Sequence, residues 1–259
     1  MRRFLIFLLA SAVLFPAGAR AQEIFSWWRR GLIDLDLRPG GWVEFVDSEL
    51  AEGELSTERI RVTVLADAPG GGHWIQLLYP EDEGESFVLR IAGLDSLRRG
   101  EILDGLREIY HLLPGGAVEK QDVEKVKKQR LLRRQFQDPF LAPAVQRRDL
   151  PDTLVAGVIL SREEVRLSET RSDTVNMGQR RLIYRNRVEA VAQLSPKVPI
   201  FGLLIARSTT TLSAEGDGRD TPPPLVTRSE LRCVGFGHDR AAPGLPAKVR
   251  KLAASPARD

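Results

Sequence analysis

The sequence predicts an α+β fold: a large curved antiparallel sheet with one or two helices inserted between two strand-rich blocks. The blocks lie at 42–91 and 154–236, where short runs alternate apolar and polar residues and are parted by Gly, Pro and acidic turns. Between them, over 97–137, apolar residues recur three and four apart. Strands, then helices, then strands is the order of an α+β domain rather than of a βαβ repeat.

Residues 1–21 precede this pattern and read as a secretory signal peptide. Arg2-Arg3 forms a basic start, Phe4–Phe15 an apolar core, and Pro16 and Gly18 break a helix. Ala19-Arg20-Ala21 then places small residues where a signal peptidase reads them. The expectation is cleavage between Ala21 and Gln22 and an exported chain, periplasmic or secreted. The apolar run falls short of the roughly 20 residues a spanning helix needs. Trp27-Trp28 opens an amphipathic entry segment that continues through Leu32, Ile33, Leu35 and Leu37. The tryptophans either pack over a sheet end or face a partner.

Pro39-Gly40-Gly41 turns the chain into the first block. Its strands are expected at 42–46, 59–65, 73–79 and 86–91. Ile60, Val62 and Val64 share one face, Gly70-Gly71-Gly72 forms a hairpin turn, and Glu81–Glu85 an acidic one. Leu97, Ile102, Leu103, Leu106, Ile109, Tyr110 and Leu113 then mark a helical stripe, ended by Pro114-Gly115-Gly116. A second helix is expected over 119–137, with Val123, Val126, Leu131, Leu132 and Phe136 as its sparse apolar side. Pro139, Pro143 and Pro151 mark a loop over 138–152.

The second block offers strands at 154–160, 164–167, 181–185, 188–192, 200–206, 208–212 and 225–236, with a Gly/Pro-rich loop at 215–224. Residues 238–259 hold three prolines and few large apolar side chains, and read as a disordered tail. The domain plan is therefore a signal peptide at 1–21, one β-rich domain at 22–237 and a tail at 238–259.

Charge is informative once the leader is set aside. The whole chain has 38 Lys+Arg and 35 Asp+Glu, but Arg2, Arg3 and Arg20 lie in residues 1–21 with no acid beside them. From Gln22 onward the formal charge is zero, so no global field draws the chain to nucleic acid or anionic lipid. Cys233 is the one cysteine, so no internal disulfide is possible. It sits in an alternating stretch, Leu231–Phe236, as a small apolar residue would.

Several stretches taken together form a recognisable layout. Gly41-Trp42-Val43-Glu44-Phe45, Gly72–Leu77, Val198–Leu204 and the closing Val234-Gly235-Phe236-Gly237 resemble uncharacterised secreted bacterial proteins. Their layout is similar to the curved half-barrel of outer-membrane lipoprotein carriers, over roughly 39–237. The resemblance implies a concave apolar face able to hold an acyl chain, with Val198, Ile200, Leu203 and Ile205 as the candidate ligand face.

Catalytic and metal motifs are missing from the sequence. His73, His111 and His238 have no metal-ligand spacing, and there is no His-Glu-x-x-His, Cys-x-x-Cys or Gly-x-Ser-x-Gly. Cys233 with His238-Asp239 forms a short nucleophile-like spacing at the edge of the tail. Glu81–Glu85 matches no calcium loop. No cofactor is expected. The segment 120–148 carries nine basic residues against three acids. Lys125, Lys127, Lys128, Arg130, Arg133 and Arg134 form its candidate docking surface for an envelope protein or an anionic membrane. The sequence thus points to an exported non-enzymatic protein binding a lipid or other hydrophobic ligand. An envelope interaction module docking through 120–148, and a secreted hydrolase, stand as alternatives.

Overall fold

The computed structural model describes residues 35–51, 53–69, 71–81, 85–92, 105–126, 144–177, 180–216 and 224–254. The expected signal peptide, Trp27-Trp28, and Lys127, Lys128, Arg130, Arg133 and Arg134 lie outside these residues. The described chain is α+β: eleven strands form one large curved antiparallel sheet, accompanied by short helices.

The strands are β1 (Gly41–Ala51), β2 (Glu54–Ala68), β3 (Gly72–Tyr79), β4 (Glu85–Ile91), β5 (Leu106–Leu112), β6 (Val118–Gln121), β7 (Ala144–Val155), β8 (Val158–Met177), β9 (Arg180–Leu194), β10 (Leu203–Gly216) and β11 (Leu225–His238). Helix α1 spans Ala247–Ala254, and one further helical turn lies at 123–126. The strand order is β6-β5-β4-β3-β2-β1-β11-β10-β9-β8-β7. Two meanders, one per strand-rich block, therefore meet at a β1–β11 seam, where Gly41 pairs with His238 and Ala51 with Thr227.

Cross-strand register separates the two faces, because directly opposed residues point the same way. Val43 and Phe45 on β1 stand level with Val62 and Ile60 on β2. Val62 and Val64 in turn face Leu77 and Ile75 on β3. These side chains begin the main core, which continues through Phe87, Ile109, Cys233, Leu231, Ala192, Ala190, Val165 and Leu167. The opposite face is apolar only at one wing. There Leu65, Ala68, Trp74, Val88 and Tyr110 pack with Val249 of α1. The Trp74 and Tyr110 rings lie 6.1 Å apart at 41°.

Four expectations change. Leu106–Leu112 is strand β5, not a helix. Ile109 faces the main core and Tyr110 the α1 cluster, so both sides of the strand are buried and no alternation shows in the sequence. Val118–Gln121, read as the start of a second helix, pairs with β5 as edge strand β6. The proline-marked stretch at 144–152 belongs to β7. Pro151 is accommodated because β7 is an edge strand and its register shifts between Leu150 and Thr153. Within 238–259, Ala247–Ala254 is helical and Val249 is fully buried, where a disordered tail was expected. Val249, with Leu245 and Ala253 beside it, carries the docking, too small a signal for a composition argument.

Candidate functional site

The two faces of the sheet have different chemistry. The apolar face extends over β1–β5 and β8–β11, and nearly all its aliphatic side chains are buried. Among the described residues its cover comes from outside the strands. Leu35 and Leu37 precede β1, Val123 and Val126 form the helical turn after β6, and Val198, Ile200 and Phe201 connect β9 to β10. Phe201 sits 6.3 Å from the Phe45 ring. Asp36 and Ile200 exchange backbone hydrogen bonds of 3.1 and 3.0 Å, tying two cover segments together. Ile200 holds a φ of 71°, a left-handed conformation rarely taken by a β-branched residue.

The expected ligand-face residues do not form one open surface. Val198, Ile200 and Leu203 are 2, 0 and 0 % exposed and belong to the core. Ile205 is partly buried and packs against the same core, while its register partners are Arg232 and Gln193, the β9–β10 register shifting between Leu203 and Ile205. Partly buried apolar side chains at the core margin also include Leu77, Leu89, Phe201 and Phe236.

Polar groups also enter the apolar side. The buried His111 Nε2 bonds to Glu85, and its ring stacks on Phe87 at 4.4 Å and 9°. Glu169 accepts a 3.0 Å hydrogen bond from Arg171 Nε. Asp47 is buried beside Leu231 in register. His73 lies 3.3 Å from Asp67. No group of three or more metal-ligating side chains occurs among the described residues. Burial pushes the Cys233 thiol up to about 11, with Sγ donating to the Gly235 carbonyl at 3.5 Å. A thiol held protonated in this way packs as a small apolar side chain.

The opposite face of β2, β1, β11, β10, β9, β8 and β7 is a ladder of arginines and fewer carboxylates. Glu164 accepts from Arg148 Nε at 2.8 Å and from Arg166 Nε at 2.7 Å. Glu230 is held likewise by Arg207 Nε at 2.6 Å and by Arg232. Arg59 pairs with Glu44 at 3.1 Å, Arg185 with Glu215 at 3.0 Å, and Arg187 with Glu189. Arg61 lies 4.1 Å over the Trp42 ring, whose other neighbours are Gly235 and Gly237 across the seam. A Cβ at Gly237 would meet that indole at 3.2 Å, so glycine makes the ring's seat. Arg162 donates to Gln193 at 3.1 Å, and exposed Arg228 completes the set. Register places ten described arginines and five described glutamates on this face. Burial opposes the charge of Glu164 and Glu230, but the arginine hydrogen bonds more than offset it and hold both below the usual 4.5.

Of the expected basic docking surface, only Lys125 lies among the described residues, with its backbone N–H on Asp122 Oδ1 at 3.1 Å. Elsewhere in the 120–148 segment, Lys120 pairs with Glu108 at 3.4 Å and Arg147 with Glu163 at 3.1 Å. The arginine face was not anticipated. Its signal was present as charges at alternate positions of expected strands, such as Arg59 and Arg61, or Arg185 and Arg187. Register across seven strands was needed to gather them.

No protein-family model and no curated protein matches the chain. Among solved structures it is similar to a provisionally assigned outer membrane lipoprotein-sorting protein domain from Vibrio parahaemolyticus. That match has 13% identity and a TM-score of 0.32, covering 91% of this chain and 98% of that one. It is also similar to a DUF1329 family protein from Desulfovibrio piger, with 11% identity and a TM-score of 0.29, covering 78% and 86%. Among the described residues no helix is long and apolar enough to cross a membrane.

Proposed function

We propose that the protein is exported and binds an acyl chain, or a hydrophobic ligand of similar shape, against the apolar face of its sheet. The construction of the cover carries this reading. A nine-strand apolar face is closed, among the described residues, by short connecting segments rather than by a second sheet. Such segments can move aside without breaking the strand ladder, and an acyl chain would replace their contacts with equivalent ones. The strained Ile200 and its bridge to Asp36 lie within that cover. Leu77, Leu89, Phe201 and Phe236 at the core margin are the first side chains a ligand would meet.

The test is native mass spectrometry of purified residues 22–259, followed by organic extraction. A stoichiometric adduct that extraction removes, and whose class the extract identifies, is the expected result. A clean apo mass, unchanged after incubation with phospholipid vesicles, overturns the reading. Leu77→Gln with Leu89→Gln is expected to lower adduct occupancy severalfold while the chain still unfolds cooperatively. Unaltered occupancy would remove these residues from the site.

A further inference from the structure

The ligand reading concerns one side of the sheet and leaves the other unexplained. We infer that the arginine face formed by β2, β1, β11, β10, β9, β8 and β7 is a docking surface for an anionic phospholipid bilayer.

The argument begins with charge. Ten arginines against five glutamates leave an excess of five on one side of a chain whose residues from 22 onward are formally neutral. The compensating acids therefore lie elsewhere on the molecule. Arg148, Arg166 and Arg207 each direct Nε to a carboxylate, yet their side chains remain 59, 52 and 54 % exposed. Each guanidinium has five N–H donors, so the cross-strand bond fixes its position and leaves donors for a phosphate oxygen. Holding the side chain in place beforehand lowers the entropy lost on contact.

Extent then selects the partner. Seven strands span about 30 Å at ordinary strand spacing, far wider than one headgroup or a free phosphate needs. At the β7–β8 tip, Leu154 and Ile159 face each other across the ladder and are 67 and 63 % exposed. Exposed aliphatic side chains at the end of a guanidinium-bearing sheet match a headgroup layer with acyl chains beneath it, and have no use against a soluble polyanion. The contact would bring the bilayer to the side opposite the proposed ligand site.

Vesicle flotation of the full mature chain tests this. Vesicles of phosphatidylcholine alone are compared with vesicles carrying phosphatidylglycerol as a third of the lipid, at low and high salt. Flotation with the anionic vesicles only, weakened by salt, is expected. The triple variant Arg187→Gln, Arg228→Gln, Arg232→Gln should lower partitioning about a hundredfold, at about fivefold per arginine. An equal charge removal on α1, Lys248→Gln, Arg250→Gln, Lys251→Gln, should leave it within a few-fold. Leu154→Ser with Ile159→Ser should weaken binding without changing its salt dependence. No flotation, an equal loss in the α1 variant, or heparin binding as tight as vesicle binding overturns the proposal. An acyl adduct in a chain that never floats would leave the ligand reading standing alone.

Discussion

Glu164 shows how single residues bear load in this sheet. It is 5 % exposed, and its charge survives burial because Arg166 and Arg148 both donate to it. Its folded pKa lies below the ordinary carboxylate value. Its contribution to stability is therefore complete above that value and is lost as pH falls through the folded one. Glu230 behaves alike, as does Glu108, where burial is offset by Tyr110, Arg90 and Lys120. Urea midpoints should be level near neutrality and drop below about pH 4.5. Glu164→Gln should cost about 1–2 kcal/mol at pH 7 and flatten part of that drop. Ile200 presents a contest of effects. Ile200→Gly loses about 3 kcal/mol of buried side chain and regains about 1–2 kcal/mol of backbone strain. A small net destabilisation should appear in the same urea series, well below the cost of Leu203→Ala. Cys233 was legible in advance as a strand residue, and native-state alkylation should be far slower than alkylation of the unfolded chain. The partners of Glu164 were not legible, since Arg148 and Glu164 meet only through the β7–β8 register.

Elements were readable where one side of a strand is dry and the other wet. β1 and β2 alternate visibly, and the expected runs 42–46 and 59–65 lie inside them. β5 was misread because its two sides are both buried, and β7 because Pro151 within it and the two prolines before it read as a loop. The β7–β8 turn, Ala156-Gly157, has both φ values positive, at 48° and 79°. A two-residue turn of that kind favours Asn-Gly, so Ala156→Asn should raise the melting temperature by a few degrees. Helix α1 contributes chiefly through Val249, its one fully buried side chain. Val249→Asp would place a charge against Trp74, Val88 and Tyr110. It should cost several kcal/mol or release α1 from the sheet, readable as a red shift of Trp74 fluorescence and early proteolysis after residue 244.

At the scale of the molecule, the α+β class and the two-block plan were visible in the order of sequence patterns, and the sheet is one body with those blocks as its wings. The difference in chemistry between its faces was not visible, because it depends on how eleven strands are registered. A bound acyl ligand should raise the melting temperature in proportion to the logarithm of its concentration over Kd, and thermal scans across a ligand series would measure this. The β1–β11 seam has a consequence for how the chain is made. Residues 41–51 find their second neighbour only when 227–238 arrives, so the first block must wait with one flank bare while most of the polypeptide is still to come. A chain made from its amino end delivers last the strand that zips the halves together. A copy truncated before residue 225 would keep both meanders yet present two raw β edges. Such edges are what proteases and neighbouring chains capture. The seam thus acts as a completeness check, distinguishing a finished chain from a broken one by whether its centre is closed.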